Sequence, residues 1–175
     1  MPSGIRGRLG WALAGGLVAV LLAAMGWGIA HPALRPAGVL VGSPAPDLVV
    51  TSLAGERIRL STLRGRPVVL NFWASWCPPC RQEAAALDAA ALRHGNSVWF
   101  LGVDIQDTVS AAAAYERQVN DPYPVGPAAE GGAADYGVTS PPETFFITPT
   151  GVVAAHVIGP VDDASLARYV TMITA

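Results

Sequence analysis

The chain has 175 residues, room for one globular domain with a short addition, and its 51% hydrophobic content exceeds that of an ordinary soluble domain. Eleven arginines, no lysine and thirteen acidic residues give a formal charge of −2. From residue 41 onward, eight arginines stand against those thirteen acids for a charge of −5, which speaks against nucleic acid as a partner.

Residues 1–8 carry Arg6 and Arg8, and residues 9–30 are an uncharged run rich in Ala, Leu, Val and Gly. As a helix, that run is long enough to cross the ~30 Å hydrocarbon layer, and the arginines ahead of it place the N-terminus on the cytoplasmic side. A cleaved signal peptide shares the basic start, but its apolar core spans only about 7–15 residues, so the length favours a retained anchor. Either reading exports the remainder into an oxidising, extracytoplasmic compartment. Residues 31–42, with Pro32 and Pro36, read as a linker, and residues 43–175 form the domain.

Leu48–Ser52 and Arg57–Leu60 read as a hairpin turning at Ala54-Gly55, with Ser61 placed to cap a short turn before Gly65. Val68–Trp73 is almost continuously apolar, the pattern of a central strand covered on both faces. Pro78 to about Arg93 is a helix packing through Ala84, Ala85, Leu87, Ala90, Ala91 and Leu92. Ser97–Val103 is a second buried strand and Val109–Val119 a second helix; this alternation implies a right-handed crossover and a parallel pair. A short strand at Tyr123–Val125 precedes a loop over Gly126–Gly132. Glu143–Ile147 and Val152–Val157 make an antiparallel hairpin around Thr148-Pro149-Thr150-Gly151. Asp162 or Asp163 caps a last helix that reaches Ile173 and buries Leu166, Tyr169, Val170 and Ile173.

Both cysteines lie in Trp76-Cys77-Pro78-Pro79-Cys80, where the Val68–Trp73 strand gives way to the helix. A sulfur at a helix start faces unpaired N–H groups and the positive end of the macrodipole, which favour the thiolate. The pattern points to reversible thiol–disulfide exchange, Cys77 attacking and Cys80 resolving. A purely structural bridge would close too short a loop to remove much unfolded-chain entropy. Pro78 and Pro79 each lack an N–H, which leaves the Cys77 sulfur fewer donors and makes the disulfide less oxidising. Arg81 after Cys80 excludes the covalent haem motif, which needs His there. A peroxidase would need its own cysteine motif, and a zinc site lacks two ligands.

Four segments carry a resemblance to a known family: residues 68–83, Leu101-Gly-Val-Asp-Ile-Gln-Asp107, the stretch 136–147 with Tyr-Gly-Val and Pro-Glu-Thr-Phe-Phe-Ile, and the N-terminal apolar run. Over about residues 41–173 the chain resembles the thioredoxin superfamily, and within it the membrane-anchored proteins of DsbE/CcmG, ResA and TlpA type. The resemblance implies an α/β thioredoxin-like fold, a central mixed sheet flanked by helices, with an N-terminal β-hairpin extension and an N-terminal transmembrane helix. It puts the family's cis-proline at Pro142, beside the cysteines, and Trp76, Pro78, Pro79, Pro141, Pro142 and Glu143 around the substrate. Pro141 has no N–H to give an extended substrate, so docking is expected to be weaker and to depend more on side chains.

Asn71 stands where thioredoxins carry a buried acid, and an amide cannot exchange that proton. Glu83, three residues after Cys80 on one helix face, matches the acid that ResA-type proteins use instead and is the proton-transfer candidate. His94 and His156 receive no role. The implied activity is that of an extracytoplasmic reductant on the cytoplasmic membrane, acting on exported protein thiols or disulfides, with apocytochrome c or its assembly factors as partners and a membrane electron donor. No cofactor beyond the Cys77–Cys80 disulfide, no metal and no nucleic acid are expected. A general disulfide reductase, a disulfide-donating oxidase and a non-enzymatic copper-binding chaperone stand as alternatives. Only His156 could complete a copper site.

Overall fold

The computed structural model describes residues 15–23, 25–27 and 38–175. Residues 15–23 and 25–27 are helical, and no helix among the described residues is long and apolar enough to cross a membrane. The rest of the expected anchor at 9–30, residues 1–8 and most of the linker at 31–42 lie outside the described residues. The chain divides into two units between Arg35 and Pro36, and the second holds every element named below.

Seven strands, β1 (Val49–Thr51), β2 (Arg57–Arg59), β3 (Val68–Trp73), β4 (Trp99–Asp104), β5 (Val125–Glu130), β6 (Glu143–Ile147) and β7 (Val153–Ile158), form one mixed sheet in the order β2-β1-β5-β4-β3-β6-β7. Four helices accompany it: α1 (Pro78–His94), α2 (Val109–Val119), α3 (Ala133–Tyr136) and α4 (Asp163–Thr174). The β3–β4 and β4–β5 pairs are parallel, joined through α1 and α2, whereas β6, β7 and the β1–β2 hairpin run antiparallel to their neighbours.

All six β3 residues are buried, because both faces of the strand are covered. Val68, Leu70 and Phe72 pack with Leu101, Tyr136 and Phe145 on one face, each large apolar side chain contributing about 1.5–3 kcal/mol. On the other face Val69 packs with Leu87 of α1 and Leu166 and Val170 of α4, while Trp73 packs with both cysteines and Ala112 of α2. Asn71, between them, therefore points its amide into the layer beneath α1. The α4 start is fixed by a reciprocal capping box between Asp162 and Ser165, and Leu166, Val170 and Ile173 are buried as their spacing predicts. Tyr169 is only half-buried, its ring tilted against Phe146 with centroids 4.7 Å apart.

Two local readings are corrected, and two features are added. The expected loop over Gly126–Gly132 is largely strand, since β5 continues to Glu130, which answers Arg57 and Arg59 across β1 with ion pairs. Gly126 permits that approach: a Cβ there would fall 2.2 Å from the Thr51 carbonyl oxygen. Ser61 does not cap the turn at Leu60–Leu63, because its N–H and hydroxyl both donate to Asp47. The short α3, closed by Gly137 at φ 74°, is an addition without an apolar period long enough to read. The expected N-terminal hairpin is joined to the main sheet, for β1 pairs with β5.

Candidate active site

The central strand β3 delivers the chain directly to the cysteines. Cys77 is the N-cap of α1, with extended backbone (φ −86°, ψ 108°), and Pro78 and Pro79 occupy the first two helical positions. Proline suits those positions, where an N–H would have no helical partner. The first amide available to the Cys77 sulfur is thus that of Cys80, which donates to Sγ at 3.2 Å. The two sulfurs are joined in a disulfide, with Cα atoms 5.3 Å apart. Cys77 is 1% and Cys80 6% exposed, while Trp76 beside them is 51% exposed and Pro78 also faces solvent.

The loop after β4 braces this segment. Asp107 accepts the Ser75 N–H at 2.7 Å, the Gln106 carbonyl accepts the Trp76 indole N–H at 2.9 Å, and Arg81 donates back to the Ser75 carbonyl at 2.7 Å. Partial burial pushes the Asp107 carboxyl up, but bonds from Ser75 and Thr108 outweigh it and hold the group below the usual carboxylate range. A charged Asp107 therefore clamps the entrance to the Trp-Cys-Pro-Pro-Cys turn at neutral pH.

The Pro141–Pro142 bond is cis. The β3–β6 register pairs Phe72 with Glu143, so Pro142 sits one residue further toward the end of β3 from which the cysteine turn departs. Pro142 is buried and Pro141 half-exposed. The structure redirects Glu143: it is buried, and its Oε2 lies 2.7 Å from Nε2 of His156, whose ring stacks on Phe145 with centroids 4.0 Å apart. Its carboxylate is engaged inside the β6–β7 hairpin instead of being free to contact substrate, and His156 is the partner that the sequence left without a role.

Glu83 projects from α1 into the sheet and is 1% exposed. Asn71 Nδ2 donates to its Oε1 at 2.8 Å, and the Val161 N–H donates to its Oε2 at 2.8 Å. Asn71 also donates to the Thr144 hydroxyl at 3.0 Å, tying β3, β6, α1 and the α4 entry together. Burial pushes the Glu83 carboxyl up to about 7 against the lowering effect of those two donors. A carboxyl poised near neutrality, one helical turn from Cys80, is equipped to take or return a thiol proton. The Val161 amide and Thr144 left no signal in the sequence, since their roles depend on how α4 and β6 meet β3.

A family model described as the AhpC/TSA family matches residues 41–156. The thiol:disulfide interchange protein DsbE of Allochromatium vinosum is 33% identical over 165 residues, covering 91% of this chain and 90% of its own length. The thiol-disulfide oxidoreductase ResA of Bacillus subtilis is 31% identical over 162 residues, covering 90% of each. Among solved structures, a thiol:disulfide interchange protein DsbE from Chlorobium tepidum superposes with a TM-score of 0.73 at 26% identity, covering 79% of this chain and all of that one.

Proposed function

The chain belongs to the AhpC/TSA family as a thiol–disulfide oxidoreductase of DsbE/ResA type, and from that premise we propose that it reduces disulfides in exported proteins during cytochrome c maturation. The observation that carries the reading is the Cys77–Cys80 disulfide at the start of α1, at the same end of the central strands as cis Pro142, with the buried Glu83 carboxyl one helical turn after Cys80. In the reduced protein the Cys77 thiolate attacks a substrate disulfide and releases one substrate thiolate. The Cys80 thiol then loses its proton to Glu83 and attacks Cys77 Sγ, breaking the mixed disulfide and releasing the second. Two electrons pass from the protein dithiol to the substrate. Trp76 and Pro78 supply the exposed wall of the substrate site, Pro79, Pro141 and Pro142 its floor.

The reading further places the domain outside the cytoplasm on an N-terminal anchor, recharged by a membrane electron donor. Apocytochrome c suits the role, because haem attachment needs free thiols in a compartment that removes them. The redox-active disulfide is the protein's own and calls for no cofactor or metal.

The scarcity of donors at Cys77 supports the reductant direction. With two prolines in the first turn, a single backbone N–H supports the thiolate, so the reduced form gains little stabilisation. A dithiothreitol redox titration is expected to return a potential nearer the roughly −270 mV of thioredoxin than the roughly −120 mV of DsbA. A value at the oxidising end would overturn the reductant assignment in favour of a disulfide donor.

A further inference from the structure

Cys80 borders a cavity of about 20 Å³ that is also lined by Asn71, Trp73, Tyr115, Asp121 and Tyr123. That volume holds one water. Two of the lining side chains bring buried polar atoms with no partner, Trp73 Nε1 and Asp121 Oδ1, and Trp73 is only 5% exposed. A water in this cavity would have both side chains as partners, with Cys80 on the same wall.

Asp121 is one of three carboxyls in contact. Asp88 comes from α1 and Glu116 from α2, and Glu116 Oε1 accepts the Asp121 N–H at 3.0 Å. Asp88 Oδ1 and Glu116 Oε2, like Asp121 Oδ1, are buried without a partner. Carboxyl oxygens this close repel one another when all are ionised, which favours a proton held among them. Burial first, then the charge of the neighbouring acids, pushes Asp88 and Asp121 up to about 7 and Glu116 upward. Among the described residues no group of three His, Cys, Asp or Glu side chains is placed to hold a metal ion. The other charged or titratable groups facing the cluster are Arg81 and Glu83 from α1, Tyr115 and Arg117 from α2, Tyr123 from the α2–β5 connection, and Glu56 from the β1–β2 turn. β3 and β5 bring none.

We propose that Asp121, acting through one water in this cavity, is a second proton acceptor for Cys80, separate from Glu83, with Asp88 and Glu116 as its proton store. The inference rests on the exchange reaction above. As the mixed disulfide resolves, the Cys80 S–H proton passes through the water to Asp121. The Cys80 sulfur bonds to Cys77 as the Cys77–substrate bond breaks, and the electron pair leaves on the substrate sulfur, which takes a proton from solvent. When the disulfide is reduced again, Asp121 returns the proton.

The test is stopped-flow reaction of the reduced protein with 5,5′-dithiobis(2-nitrobenzoate), followed across pH. The first chromophore release reports attack by Cys77 and the second reports resolution by Cys80. Asp121→Asn is expected to slow the second phase about tenfold near pH 7, less than the ~10²-fold typical of a sole acid–base group, and to leave the first phase unchanged. Asp121→Glu should restore it, and Asp121→Asn with Glu83→Gln should slow it further than either change alone. A second phase identical to wild type at every pH in Asp121→Asn overturns the proposal and leaves the exchange reading standing; no chromophore release by the wild type sinks the exchange reading itself. Should Asp121→Asn fail to fold, infrared difference spectra of Glu83→Gln between dithiol and disulfide forms carry the test. A carboxylic acid carbonyl band that changes at pH 7 and persists on adding Asp104→Asn, which removes the other carboxyl pushed up to about 7, supports the store, and its absence overturns it.

Discussion

Cys77→Ser abolishes reduction of a peptide disulfide down to the uncatalysed background, measured as reduced peptide separated by chromatography under excess dithiothreitol. The serine hydroxyl stays neutral at any workable pH, so the position keeps its cap to the Cys80 N–H but has no thiolate to attack with. The helix itself survives, because Pro78 and Pro79 fix its first turn and serine is a strong N-cap. Far-ultraviolet circular dichroism of the reduced variant should therefore match reduced wild type. Cys80→Ser also loses turnover, for a different reason: the first attack proceeds and the product cannot resolve. Retained turnover in Cys77→Ser would assign the attack elsewhere.

Glu83→Gln changes both rate and stability, and pH separates the two effects. Glu83 accepts the Cys80 proton only when ionised, so wild-type resolution should rise with pH through about 7. In the variant it should be slower by on the order of 10²-fold at pH 7 and rise only as the Cys80 thiol itself ionises, near the ordinary ~8.5. For stability, burial raises the folded pKa above the unfolded 4.5 to about 7. The native state thus keeps a proton that the unfolded chain has lost, and this group's stabilising contribution is full below about pH 4.5 and vanishes as pH rises through 7. The loss is on the order of 3 kcal/mol, and the stability difference between wild type and Glu83→Gln should change by that amount over the same window in denaturant titrations. Asp88, Asp104 and Asp121, each pushed up to about 7 first by burial, slope the same way in both proteins and cancel in the difference. The glutamine cannot accept from both Asn71 and Val161, which offsets the two curves vertically without altering the slope. A pH-independent difference would remove Glu83 from the proton path.

The architecture was legible where pattern and packing agree. The six buried residues of β3, the span of α2 and the apolar stripe of α4 appear in the sequence because each side chain's environment repeats along the element. β5 was not legible beyond Val125, since Gly126-Pro127-Ala128 carries a loop composition and becomes strand only because β1 and β4 hold it on both sides. In the site, the Cys77–Cys80 pair stood out by its spacing at a helix start, whereas Glu83 was singled out by the resemblance to ResA-type proteins, and its burial could not be read from the chain. Asp107 stood inside a recognised segment, but its bond to Ser75 joins residues 32 apart in the chain. Glu143 was placed near substrate by its neighbour Pro142 in sequence, and its partner in space, His156 across a hairpin, left no signal along the chain. The acids at 88, 116 and 121 look like solvated charges along the chain and converge only when α1, α2 and the turn into β5 pack together.

The attacking sulfur is identified most directly by mass spectrometry of Cys80→Ala and Cys77→Ala, each reduced and then mixed with a peptide carrying one internal disulfide. The account predicts that Cys80→Ala gains the mass of one peptide, bound at Cys77 and released by dithiothreitol, while Cys77→Ala gains none. An adduct on Cys77→Ala with none on Cys80→Ala would contradict it.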